Sequence, residues 1–210
     1  GHGGGGMYVG RRLALSERSW FIHNTAALGG GLAISNTSGT AEMKVVNSLF
    51  ARNQAAEQGA AVYLQSPRPL HLIHTTIADI GLNPQAAVYA VSSTVQMTNS
   101  IVASHTVGLV NVGGQITATA TVYFGNGAAH EGEISEREAV VGNPRFQEPA
   151  VDDYRLGVGS VAIDNALEVG VTADILGLAR PVNTLPDRGA YEGPFVYTLR
   201  IPIVFGREES

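Results

Sequence analysis

The sequence predicts an all-β solenoid: a parallel β-helix of about five coils, closed by a loop-rich C-terminal cap. The first observation behind this is internal repetition. Five segments open with small residues and run into a short β-prone stretch: Gly6-Met7-Tyr8-Val9, Gly31-Leu32-Ala33-Ile34, Ala61-Val62-Tyr63-Leu64, Ala87-Val88-Tyr89-Ala90 and Gly108-Leu109-Val110-Asn111. Their first residues stand 25, 30, 26 and 21 positions apart. At such a period one unit cannot bury its own apolar face and must stack on its neighbours. The second observation is alternation. Stretches such as Met43-Lys44-Val45-Val46, Val95-Gln96-Met97-Thr98 and, most clearly, Ile116 to Phe124 carry the period-2 pattern of strands. The third is composition: 26 glycines, 9 prolines and only 15% charged residues disfavour a helical bundle, whose solvent face carries abundant Glu and Lys.

Each unit is expected to supply three strands. After the opening stretch comes a second signature: Arg18-Ser19-Trp20-Phe21-Ile22-His23-Asn24, then Asn47-Ser48-Leu49-Phe50-Ala51-Arg52-Asn53, Thr75-Thr76-Ile77-Ala78-Asp79 and Asn99-Ser100-Ile101-Val102-Ala103-Ser104. Three short strands separated by Asn, Gly or Ser turns are the content of one coil, and five coils stacked ~4.8 Å apart make a column of roughly 20–25 Å. Met7, Leu32, Val62, Val88 and Leu109 are expected to form one inward ladder, with Trp20, Leu49, Ile77 and Ile101 forming a second. Asn47 and Asn99 fall between second and third strands, where Asn tolerates the left-handed conformation and amides can bond from coil to coil. Thr75 and Arg18 interrupt that amide ladder.

The expected organisation is coils over 1–129, a capping region over 130–193 and a terminal edge strand or tail over 194–210. Tyr154, Leu156, Ile163 and Tyr191 are expected to pack over the last coil and hide its edge. The alternation from Phe195 to Val204 suits an edge strand, where Pro202 is tolerated.

Composition also excludes function classes. The net charge is −5 and no basic run exceeds Arg11-Arg12, so a nucleic-acid footprint is not expected. With no cysteine, disulfides, iron–sulfur clusters and Cys-based zinc sites are excluded. No apolar run approaches the ~20 residues that span a bilayer, and no signal peptide is visible. Gly1-His2 stands ahead of Gly3 to Gly6, at the opening of a repeat, and reads as leftover sequence, with other domains of a larger parent chain expected. The glycine run is not a phosphate loop, because no Gly-Lys-Ser/Thr and no helix follow it.

The candidate binding residues are Tyr8, Tyr63 and Tyr89. Each sits one place after an inward position, so alternation points all three outward as one column. The column is either exposed, where it could stack on sugar rings, or covered by a loop or the C-terminal segment. No catalytic residue, metal site or cofactor is assigned. Asp152, Asp153, Asp164, Asp174 and Asp187 concentrate in the tail; they could bind Ca²⁺, but match no calcium loop and are read instead as turn caps on backbone N–H groups. His23, His71, His74, His105 and His130 are scattered, with a solvated coil face as the default. Glu17 and Asp79 are the best-placed pair of acids, about 10 Å apart if they occupy equivalent places two coils apart.

The tail carries the most specific pattern: Asn143-Pro144-Arg145-Phe146, Asp153-Tyr154-Arg155-Leu156, Gly159-Ser160-Val161-Ala162-Ile163-Asp164, Gly177-Leu178-Ala179-Arg180-Pro181 and Asp187-Arg188-Gly189-Ala190-Tyr191-Glu192. This series resembles the C-terminal region of choice-of-anchor Q β-helix proteins, differing at Asn143 (usually Asp) and Val161 (usually Pro). The repeats are similar to right-handed parallel β-helices of the polymorphic outer-membrane type. The resemblance implies export and an extracellular or cell-surface role, and no catalytic residues to carry over. The expected function is a non-catalytic module of a secreted or cell-surface bacterial protein, acting as scaffold, adhesin or binder of a polysaccharide or cell-surface glycan. The alternative is a carbohydrate-active enzyme, a polysaccharide lyase or glycoside hydrolase of the β-helix type.

Overall fold

A computed structural model of the chain describes residues 4–11, 14–35 and 37–193. It is a parallel β-solenoid of about five turns. Three parallel sheets of six strands form its sides. The first sheet stacks Met7–Val9, Leu32–Ser35, Val62–Gln65, Val88–Val91, Val107–Val112 and Ala128–Glu131. The second stacks Leu15–Glu17, Met43–Val46, Leu70–Ile73, Thr94–Thr98, Gln115–Thr119 and Ile134–Arg137. The third stacks Trp20–Ile22, Leu49–Ala51, Thr76–Asn83, Ile101–His105, Val122–Phe124 and Val140–Val141. The expected division at residue 129 lies within Ala128–Glu131, and the coils continue to Val141. The segment 194–210 lies outside the described residues.

Strand register fixes the core. Met7, Leu32, Val62, Val88 and Leu109 are in register down the first sheet and belong to the interior cluster or pack against it, as the sequence predicts. The second expected ladder is corrected. Trp20, Leu49 and Ile101 are in register, but Thr76, not Ile77, holds the third-coil position. Leu49 and Ile101 also face outward, toward the tail. The inward ladder of the third sheet is Phe21, Phe50, Ile77, Val102 and Tyr123, with the two phenyl rings stacked 4.5 Å apart.

The corner between the second and third sheets is turned by one left-handed residue per coil: Arg18, Asn47, His74, Asn99, Ala120 and Glu138, with φ between +46° and +55°. Asn47 and Asn99 therefore stand where expected, but His74 rather than Thr75 interrupts the series. The amides do not ladder to one another; Asn99 donates to His74 Nε2 at 3.1 Å and Asn47 donates to Ala173 O at 2.7 Å. An asparagine ladder does form at the next corner. There Asn24 donates through its backbone and side chain to Asn53 Oδ1, both at 3.0 Å, and Asn83 donates to Asn53 O at 3.0 Å.

The C-terminal region is loop-rich as expected, with one short hairpin of Phe146–Glu148 against Asp153–Leu156. Its placement corrects the sequence reading. Tyr154, Leu156, Ala162, Ile163, Ile175 and Tyr191 pack against Leu49, Ala51, Ala78, Ile101, Ala103 and Val122 on the outer face of the third sheet, not over the last coil. The reason is that this sheet is apolar on both sides, so its flank needs cover.

Close backbone approach at the corner before the first sheet leaves no room for side chains. A Cβ on Gly30 would lie 2.5 Å from the carbonyl oxygens of Ala60 and Gln54, whereas one on Gly81 would meet nothing within 4 Å. Gly30→Ala is expected to destabilise the protein by about 1–3 kcal/mol in urea unfolding, and Gly81→Ala by less than about 0.5 kcal/mol.

Candidate functional site

The tail is held by hydrogen bonds that reach most of the coils. Arg188 Nη1 donates to Glu138 O on the last coil at 2.9 Å. Asn99 accepts from Leu167 N at 2.9 Å and donates to Leu167 O at 2.8 Å, pairing with it as a strand would. Ala190 N donates to Thr76 Oγ1 at 2.9 Å, and Trp20 Nε1 donates to Tyr191 Oη at 3.3 Å on the first coil. His23 Nε2 meets Asp152 Oδ2 at 2.9 Å, with Arg52 3.5 Å from the other oxygen. Gly189 sits at φ +92° against the third sheet, where a Cβ would meet Thr76 Oγ1 at 2.6 Å and Ile101 Cδ1 at 2.7 Å.

A buried charged network lies beneath this strap. Arg180 Nη1 pairs with Glu192 Oε1 at 2.8 Å, both side chains essentially without solvent contact. Glu192 also accepts from Asp187 N at 2.9 Å and Val182 N at 3.1 Å. Arg180 donates to the Asp187 and Gly189 carbonyls. His74 is fully buried beside it; the Asn99 amide donates to its Nε2 at 3.1 Å, and its Nδ1 lies 2.8 Å from Arg180 Nη1 and 3.1 Å from Asp187 O. Burial, with the Arg180 charge, holds His74 down to about 3. Burial likewise holds His105 down to about 4. The default of solvated histidines is thus overturned for His74 and His105.

The tail aspartates act as caps. Asp164 accepts from Thr184 N and Leu185 N at 3.0 and 3.2 Å. Asp174 accepts from Leu176 N, Leu178 N and Glu192 N at 2.8, 2.9 and 3.1 Å. Asp187 accepts from Asp164 N and Gly193 N. Asp153 is held low by hydrogen bonds from Arg155. Among the described residues, no group of three or more His, Asp or Glu could hold a metal ion. No helix among them is long and apolar enough to cross a membrane.

The three candidate tyrosines share one row. Tyr8 aligns with Ala33, then Tyr63 and Tyr89, all on the outer side of the first sheet. The Tyr63 and Tyr89 rings are near-parallel, 6.3 Å apart at 11°. Tyr8 is 42% exposed and Tyr89 partly so, but Tyr63 is only 8% exposed. Its hydroxyl donates to Gln65 Oε1 at 3.2 Å, and burial beside Tyr89 and Glu57 pushes it up.

Glu17 and Asp79 are not brought together: Glu17 ends a strand of the second sheet, whereas Asp79 lies beyond the paired part of the third. Asp79 instead begins a projecting segment that exposes Ile80 and Leu82 at 55% and 60%. A cleft of about 360 Å³ lies between this segment and Gln54-Ala55. A second, of about 230 Å³, is lined by Asp79, Ser104, Phe124, Asn143, Arg145 and Phe146. Both Asp79 oxygens are engaged, by Ile80 N and Asn83 Nδ2. Repeat spacing gave no signal for this cleft, because it joins a coil corner to the tail.

No family model matches the chain, and no curated protein matches it either.

Two predictions follow from the network. Glu192→Ala strands the Arg180 charge and is expected to cost about 3–5 kcal/mol. Asp153→Ala, which removes a solvent-exposed pair with Arg155, is expected to leave the midpoint nearly unchanged. Both are read from denaturant midpoints. His74 and His105 also set a pH dependence. Their folded values lie below the ordinary ~6.5, so the unfolded chain binds more protons as pH falls through that value. Their stability contribution is complete above about pH 6.5 and declines by about 1.4 kcal/mol per pH unit for each histidine toward about pH 5. Asp187 and Glu192, raised by burial, act in the opposite sense nearer the carboxylate range. His105→Asn, which supplies the residue found in register at Asn83, should remove about half of the slope.

Proposed function

We propose that this chain is a non-catalytic module of a secreted or cell-surface bacterial protein, a rigid column that binds polysaccharide or cell-surface glycan through its first sheet. The motif series from Asn143 to Glu192, similar to that of choice-of-anchor Q proteins, supports export. The observation that carries the binding reading is the tyrosine row: Tyr8, Tyr63 and Tyr89 in register on one outer face, two rings near-parallel. Aromatic faces with a polar tip suit the apolar face and hydroxyl rim of a sugar ring. Tyr8 and Tyr89 supply the contact, and Tyr63 supports them from within the row.

A second reading, a carbohydrate-active enzyme, is favoured by the cleft that places Asp79 and Arg145 beside Phe124 and Phe146. Asp79 is the one acid lining it among the described residues, without the expected partner Glu17. Glycoside hydrolysis would require a second carboxylate across the cleft.

A glycan array run with a polysaccharide-cleavage screen separates the two. Binding without turnover is expected, and release of unsaturated or reducing ends would overturn the non-catalytic reading. Tyr8→Ala should weaken binding roughly three- to tenfold while leaving unfolding midpoints unchanged. Tyr63→Ala should instead cost about 3–5 kcal/mol of stability.

A further inference from the structure

The last coil breaks the core ladders with polar side chains. In the first sheet, His130 is in register with Leu109, and through it with Val88, Val62 and Leu32. In the second, Glu136 is in register with Ala118, and through it with Met97, Leu72 and Val45. All of those partners belong to the interior cluster. Strand alternation therefore aims an imidazole and a carboxylate into the column, where the earlier coils place apolar side chains, Ser16 of the first coil excepted. The two meet there, His130 Nε2 lying 3.7 Å from Glu136 Oε2.

The layer below is adapted to them. Tyr123 holds the position of Val102 in the third sheet, and its ring is buried in the core while its hydroxyl has no hydrogen-bond partner of good geometry. Burial, then the Glu136 carboxylate, push that hydroxyl up. Above it, Val141 is in register with Tyr123 and 84% exposed, so no further coil of the described chain covers this end.

An uncovered coil end is a hazard. Its three edge strands offer unpaired N–H and C=O groups to another chain, and an apolar interior would reward stacking. Inward polar groups reverse that, because a stacked coil would strip water from His130 and Glu136 with few new partners. We propose that His130 and Glu136 terminate the solenoid, two polar side chains at core-ladder positions that keep the last coil from being extended by a second copy of this chain.

Sedimentation velocity over a range of protein concentrations tests this on the whole chain. The double variant His130→Leu/Glu136→Ala uses side chains from the same ladders, Leu109 and Ala118. It is expected to associate end to end, with weight-average mass doubling or more as concentration rises, while the wild-type chain stays monomeric. Adding Ile134→Lys, which returns one charge to an inward position of the same strand, should restore the monomer. If the double variant does not fold, His130→Met/Glu136→Met fills the same space with flexible apolar side chains and serves the same test. A folded variant that stays monomeric over the whole range, or a wild-type chain that already associates, overturns the proposal.

Discussion

A strand in a solenoid commonly buries one face and shows the other to water. In the middle coils of the third sheet the outer side chains Leu49, Ala51, Ala78, Ile101, Ala103 and Val122 are all buried. The inner ones, from Phe21 to Tyr123, already fill the core. Leaving the outer set in water would forfeit about 1.5–3 kcal/mol for each large side chain. The coils therefore depend on the tail for cover, and the tail, which has little regular structure, depends on the coils for order.

That dependence explains where the polar groups lie. A loop-rich segment pressed on an apolar sheet carries backbone groups that pairing with a sheet does not satisfy. The corner residues supply part of what it lacks: Asn47, His74, Asn99 and Glu138 turn the chain and also bond the tail. Within the tail, Asp164, Asp174, Asp187 and Glu192 accept the remaining N–H groups, and Arg180 balances the buried carboxylates. The motif residues that distinguish the tail are thus largely engaged in holding it to the column.

Much of this was legible in the sequence. Met7, Leu32, Val62, Val88 and Leu109 could be aligned because each follows a run of small residues, and period-2 alternation gave their direction. The same alternation placed Tyr8, Tyr63 and Tyr89 in one row. It could not tell that Tyr63 is buried, since exposure within a row depends on neighbouring side chains rather than on periodicity. The third sheet was misread for a different reason. Leu49-Phe50-Ala51 and Ile101-Val102-Ala103 are continuous apolar runs, which mark strands buried on both faces, so the inward member cannot be chosen by alternation alone. The role of His74 was hidden because its partners, Arg180 and Asp187, lie more than a hundred positions away. The inward His130 and Glu136 were not read from the sequence, which ended the coils at residue 129 and set His130 on a solvated face; the register of the last coil reveals them.

Tail and column, each dependent on the other, are expected to unfold as one cooperative unit. Native-state hydrogen exchange tests it at single amides. The backbone N–H groups of Leu167, Gly189 and Ala190 bond to Asn99 and Thr76 of the coils, while those of Leu49 and Ile101 bond between coils. If the account is right, both sets open with the free energy of global unfolding. Tail amides that exchange through a much cheaper opening, with the coil amides still protected, would contradict it.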